Sequence, residues 1–225
     1  MTGPDGYTGT CSVGGPPAVR TIPGLRVTKV AVGGMDNNCY LLRCAATGST
    51  LVIDAPAPCA AIVDAVGDGT PVAIVVTHGH SDHVAGLSEL AERLGVPVRC
   101  HPADADLLPV PPASTVTDGD SIDFGAAAVR VVHLRGHTPG SIALVYDAAG
   151  QLSASPHVFA GDCLFPGGPG ATGGDPLRFA MLLGDLEEKL FWPLPDLTWI
   201  YPGHGRDTTL GAERPHLGAW RARGW

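Results

Sequence analysis

The chain has 225 residues, 44% of them hydrophobic, and a formal net charge of -8 at pH 7. That length supports one substantial core, or one large domain with an appendage. The acidic balance argues against a sequence-independent nucleic-acid surface, and with no run of about 18 apolar residues no membrane span is expected. The first residues, Met1-Thr2-Gly3-Pro4-Asp5-Gly6, lack the basic and apolar regions of an export signal, so a cytoplasmic location is expected. Residues 1–24 carry Gly14, Gly15, Pro16, Pro17, Pro23 and Gly24 with little periodicity. They predict an extended or loosely ordered arm before a domain over 25–225. Leu25 to Val32 predicts a strand, with a bulge where alternation breaks at Thr28-Lys29. Strands are predicted over 39–42 and 51–53, a short helix over 60–66 stopped by Gly67, and a fully buried strand over Val72 to Val76. Apolar residues at 84, 87, 90, 91 and 94 predict a helix that stops at Gly95, followed by a strand over 96–100. Further strands are predicted over 122–124, 129–134, 142–146, 158–160 and 197–201. Helical spacing covers 179–191, with Glu187 and Glu188 on the polar side. Frequent strands with intervening helices predict an α/β fold of two sheets with outer helices.

Chemistry is concentrated at the ends of four of these strands. Val72 to Val76 leads to His78-Gly79-His80-Ser81-Asp82-His83, which packs three imidazoles and a carboxylate into six positions. The strand over 129–134 leads to Gly136-His137, the one over 158–160 to Gly161-Asp162, and the last to Pro202-Gly203-His204-Gly205. Small flanking residues let the backbone turn sharply and bring a side chain close to an ion. His78, His80, Asp82, His83, His137, Asp162 and His204 exceed the needs of one tetrahedral site and suit two ions with one carboxylate shared. Nitrogen and oxygen donors suit zinc, and also iron or manganese.

These segments resemble the metallo-β-lactamase superfamily. The motif HxHxDH stands here as His78 to His83, and the later motifs as Gly136-His137-Thr138-Pro139-Gly140-Ser141, Gly161-Asp162-Cys163-Leu164-Phe165 and Tyr201-Pro202-Gly203-His204. The HTPGS and GDxLF forms are most similar to the glyoxalase II branch (hydroxyacylglutathione hydrolases) in its short single-domain form. The resemblance implies a four-layer αββα sandwich with two Zn2+ between the sheets. One ion would sit on His78, His80 and His137, the other on Asp82, His83 and His204, and Asp162 would bridge them. Asp54 would orient a ligand histidine. The implied activity is hydrolysis of S-acyl thioesters, such as S-lactoyl thioesters, of a low-molecular-weight thiol by a metal-bridging hydroxide. Asp82 would orient the attacking oxygen. The implied partner is a small-molecule thioester, with the protein a monomer or homodimer.

The chain departs from that branch in two places. Only about 20 residues follow His204, where the full-length enzymes carry a helical domain that holds glutathione, and the loop from Pro166 to Ala171 has no arginine. The carrier thiol therefore stays open. A mononuclear-iron persulfide dioxygenase using His78, His137 and Asp162 is an alternative within the same fold, as are a β-lactamase or another metallo-hydrolase. Leu164 and Phe165 are expected at the pocket mouth. Six cysteines without CxxC spacing read as reduced thiols, and Cys163 as packing rather than a redox group. His101, His133, His157 and His216 have no partner pattern and read as structural. Arg214, Arg221, Arg223, Trp220 and Trp225 read as a solvated amphipathic end.

Overall fold

A computed structural model of the chain describes residue 3 and residues 6–147 and 155–224. Met1, Thr2, Pro4 and Asp5 of the arm, and Trp225 of the tail, lie outside the described residues. In chain order come β1 (Ala18–Ile22), β2 (Leu25–Val32), β3 (Asn37–Cys44), β4 (Ser49–Ile53), α1 (Ala60–Val66), β5 (Thr70–Val75), α2 (Ser81–Val84), α3 (Leu87–Leu94), β6 (Val98–Cys100) and β7 (Ser114–Thr115). The second half supplies β8 (Ser121–Phe124), β9 (Ala127–His133), β10 (Ile142–Tyr146), β11 (His157–Gly161), β12 (Leu164–Phe165), β13 (Gly168–Pro169), α4 (Pro176–Leu186), β14 (Trp199–Pro202), β15 (Thr208–Thr209), α5 (Leu210–Glu213) and α6 (Leu217–Arg223).

Strands β1 to β7 form one sheet in sequence order, and a second sheet has the order β15-β14-β11-β10-β9-β8. The layers follow from which faces are apolar. Leu25, Val27, Tyr40 and Leu42 of the first sheet pack on Val129, Val131, Phe159 and Tyr201 of the second, which makes the central core. Ile62 of α1 and Leu87 and Leu90 of α3 cover the outer face of the first sheet at Val52 and Ile74. Phe179, Leu182 and Leu186 of α4, with Trp220 of α6, cover the second at Val132, Val158 and Ile200. The result is a four-layer αββα sandwich, and strands buried on both faces, such as β10, read as continuous apolar runs for that reason. Among the described residues no helix is long and apolar enough to cross a membrane.

Several expected boundaries move. Strand β2 has no bulge: it pairs without interruption with β3 from Leu25 to Val32 and with β1 up to Lys29. The alternation breaks because α1 and α3 cover Val30 and Val32 on the outer side, while the inward position 29 is filled by a lysine. Lys29 is fully buried, and its Nζ donates to Gly9 O at 2.9 Å, Gly205 O at 2.6 Å and Asp207 Oδ1 at 2.6 Å. A buried ammonium is tolerated only with such a full set of acceptors, and removing one partner of such a pair typically costs about 3–5 kcal/mol.

The arm over 1–24 is extended where described, but it is docked rather than loose. It supplies the edge strand β1, and Tyr7 is buried with its hydroxyl donating to Asp207 Oδ2 at 3.1 Å. The helix predicted from Val84 to Leu94 is interrupted where Gly86 N donates to Ala55 O at 2.9 Å, leaving α2 and α3. Helix α4 begins at the Asp175 cap and passes into a wider turn over Glu187–Phe191. Glu187 is buried rather than solvated because α6 covers it and Arg221 pairs with it. Trp220 is likewise a core residue, so the C-terminal end is packed.

Candidate metal centre

The sheet topology gathers one edge of the sandwich into a site. Strands β4 and β5 run parallel with Ile53 beside Val75, so Asp54 and Thr77-His78 leave the first sheet side by side. Strands β11 and β14 run parallel with Gly161 beside Pro202, so Asp162 and His204 leave the second sheet side by side. Strand β9 ends at His133 and carries the chain to His137. Ile142 N donates to Thr77 O at 2.9 Å, and Asn38 N donates to Gly203 O at 2.7 Å, which ties the two sheets together at this edge. Position 203 must lack a side chain, since a Cβ there would fall 2.0 Å from Asp162 Oδ1.

All seven expected ligands meet here. Ligand atoms of His78, His80 and His137 lie within 4.8 Å of one another, as do those of Asp82, His83 and His204. Asp162 stands between the groups. Its Oδ2 is 3.9 Å from His78 Nε2, 3.6 Å from His137 Nε2 and 3.4 Å from His204 Nε2, and its Oδ1 is 3.3 Å from His83 Nε2. Asp82 Oδ2 is 3.2 Å from His204 Nε2 and 3.7 Å from His83 Nε2.

Hydrogen bonds on the far side of the rings set their tautomers. His83 Nδ1 donates to Asp54 Oδ2 at 3.0 Å, His137 Nδ1 to Ala171 O at 2.7 Å and His204 Nδ1 to Met35 O at 2.8 Å. Thr77 donates its hydroxyl to Asp54 Oδ2 at 2.8 Å, which leaves its oxygen to accept from His78 Nδ1 at 3.1 Å. Four Nε2 lone pairs therefore point inward, the arrangement of metal-ligating histidines. His78 Nε2 and His137 Nε2 are buried without a hydrogen-bond partner. His83 Nε2 and His204 Nε2 are 3.1 Å apart, where two lone pairs repel unless a proton or cation lies between them. The residues fit divalent ions of the type that imidazole and carboxylate bind.

The charges of the two groups differ. Burial holds His78 well below the ordinary imidazole value, with the neighbouring His83 acting the same way, and burial also lowers His137. Burial opposes a charged His83 too, but its bonds to Asp162 and Asp54 outweigh that and lift it to about 10. His204 is raised because its hydrogen bond to Asp162 outweighs burial. Burial would raise Asp162, yet His204 and His83 hold it far below the carboxylate range. This pocket attracts positive charge, and a bound cation would take the place of the proton on His83.

The family model for the metallo-beta-lactamase superfamily matches residues 32–204. The chain belongs to that superfamily. An uncharacterized protein of Aquifex aeolicus is 31% identical over 207 residues, covering 82% of this chain and 92% of the relative. A hydroxyacylglutathione hydrolase of Anaeromyxobacter dehalogenans is 36% identical over 177 residues, covering 76% of this chain, which spans only 62% of that relative's length. The solved structure of TTHA1623 in a di-iron-bound form is 32% identical with a TM-score of 0.68, covering 83% of this chain and 96% of that one. The superfamily fold and its His/Asp cluster imply metal ions.

Within this metallo-β-lactamase fold the remaining expected residues fall as follows. Asp54 is buried and spent on His83, Thr77 N at 2.7 Å and the Thr77 hydroxyl, so it braces ligands rather than facing the site. Phe165 is half-buried with its ring centroid 6.2 Å from that of His204, whereas Leu164 takes a core position beneath the outer helices, as alternation along β12 requires. Cys163 is buried in the same core, and burial pushes its thiol far up. His101 and His133 stack on each other at 3.9 Å, and His157 bonds to Tyr201 at 3.0 Å.

Sequence reasoning missed three supports. Asn37 Nδ2 donates to Asp82 Oδ2 at 2.8 Å, Arg178 donates to the carbonyls of Gly136 and His137, and Asp104 accepts from Gly79 N. None belongs to a motif, and each acts through contacts between residues at least 25 positions apart, so no local pattern announces them.

Proposed function

We propose that the protein is a hydrolase of S-acyl thioesters of a small thiol, of the glyoxalase II type, acting with two zinc ions. What carries the reading is Asp162, whose carboxylate stands within 3.9 Å of imidazoles from both ligand groups, as a shared ligand of two ions must. The 36% identity to a hydroxyacylglutathione hydrolase supports the thioester class. Bound ions of this type supply Lewis acidity, making a water nucleophilic near neutral pH and polarising a carbonyl.

The chain's own groups supply the geometry. Asp82 is partly exposed and is steadied by Asn37, so it can accept a proton from an attacking water at the carbonyl carbon. The C–S bond then breaks and the thiolate leaves with little need of protonation. His80 is exposed and His204 half-exposed, which opens the site on that side, with Phe165 near His204. The proposed partner is a small thioester met in the cytoplasm, by a monomer or homodimer.

Metal quantification paired with turnover of S-lactoyl thioesters on several carrier thiols tests the proposal. About two zinc per chain with thioester hydrolysis is the expected result. One iron per chain, with oxygen uptake on a thiol persulfide and no thioester turnover, would replace it with a dioxygenase.

A further inference from the structure

Asp104 sits in a short helical turn, Pro102–Leu107, that lies outside every metal-binding motif. Pro102 opens the turn, His101 caps it by accepting from Ala103 N at 3.2 Å, and Asp104 points inward with no exposure. Its Oδ2 accepts from Gly79 N at 2.9 Å and from the Thr138 hydroxyl at 2.6 Å, and its Oδ1 accepts from Gly140 N at 2.6 Å. One carboxylate therefore spans two loops. Gly79 lies between His78 and His80, and Thr138 follows His137, so the loops joined are those that carry the three-histidine group.

Two further observations agree. Among the described residues Asp104 has no ion pair, so its buried carboxyl group is satisfied by these three donors alone, all of them on the two ligand loops. Both partner glycines are also places where a side chain would collide with this turn. A Cβ at Gly140 would lie 2.7 Å from Asp104 Oδ1, and one at Gly79 would lie 2.5 Å from Leu107 Cβ. No hydrogen bond or ion pair links Asp104 to Asp82, His83 or His204 among the described residues.

We propose that Asp104 is a positioning residue that holds the His78–His80 loop and the His137 loop at the spacing the three-histidine ion needs, and that it does not serve the other ion. The proposal rests on reading those histidines as an ion site. The test is titration of the metal-free protein with Co2+ against a competing chelator, with His80→Ala and His204→Ala as references for each half.

Asp104→Asn should weaken the three-histidine ion by about 10–100-fold, the usual range for a lost outer partner, and leave the other ion unchanged. Thr138→Val removes one of the three donors to Asp104, together with the hydroxyl contact to Ser141, and should give a smaller loss, of a few-fold, at the same ion. Thr138→Ser keeps the hydroxyl and should bind as the unaltered chain does. Equal weakening of both ions, or an unchanged isotherm, in folded Asp104→Asn overturns the proposal. If Asp104→Asn fails to fold, an unchanged isotherm for Thr138→Val does the same, and a Thr138→Val loss confined to the three-histidine ion supports it. A wild-type chain that takes up no ion at the three histidines overturns both this proposal and the reading beneath it.

Discussion

The two halves of the metal centre are built from different physical materials. His78, His80 and His137 form a group of imidazoles alone, in which burial lowers His78 and His137 and favours their neutral, ligating form without a cation present. His83 and His204 sit among Asp54, Asp82 and Asp162, and there both are raised because the pocket calls for positive charge. Their supports differ as well. The first half leans on Asp104, on carbonyls braced by Arg178 and, through the Thr77 hydroxyl at His78, indirectly on Asp54. The second leans on Asn37, Met35 and Asp54, and on Lys29, which holds Gly205 beside His204. The Asp162 carboxylate stands between a neutral half and an anionic one. An ion in the second half would therefore be held more by charge, and one in the first more by preformed lone pairs.

Removing that join should have the largest effect. Asp162→Ala should lower metal content in both halves and activity together, by more than about 100-fold in activity, beyond the range of an outer partner. Elemental analysis of the purified variant beside its turnover checks this. Full metal content with full activity would show that Asp162 joins nothing.

Asp54→Asn should be milder and heavier on one side. The amide cannot replace a carboxylate that accepts from His83 Nδ1, Thr77 N and the Thr77 hydroxyl. Metal affinity at the Asp82–His83–His204 half, where His83 bonds Asp54 directly, should fall about 10–100-fold, and the three-histidine half, which Asp54 reaches only through Thr77 and His78, should lose less. Equal losses in competitive titration would mean that the halves are not separately supported.

The smallest effect is in the pH dependence of the metal-free protein. His83 is raised to about 10, so its protonation contributes stability that is full below the ordinary imidazole value of about 6.5 and is lost as pH rises from there towards 10; the raised His204 acts in the same sense. His78 and His137 are lowered, so their contribution is present above about 6.5 and is lost as pH falls through the range below it. With a chelator present, Tm should peak near pH 6.5 and decline on both sides. A Tm that climbs steadily from pH 7 to 10 would contradict the assignment of opposite charge preferences. Adding metal should flatten the alkaline decline, because the cation replaces the proton.

Much of this was legible in the chain itself. The ligand side chains follow strands closely, because a buried strand ending in a small-residue turn has few ways to aim the next side chain. The residues His78 to His83 therefore pointed to the site, and His137, Asp162 and His204 completed it. The apolar periods gave an α/β fold of two sheets with outer helices, and the four-layer αββα order came from the resemblance carried by the histidine motifs. The supports were another matter. Lys29 looked like a fault in a strand because its acceptors, Gly9, Gly205 and Asp207, are brought to it from both ends of the chain. Leu164 looked like a pocket residue until α4 and α6 were seen to cover it. Asn37 and Asp104 carry no signal, since what they do depends on donors and acceptors 25 or more positions away. Which side chains stand at the strand ends is a local property of sequence. Their spacing, charge and bracing are decided only when distant backbone groups must find partners as two sheets close on each other.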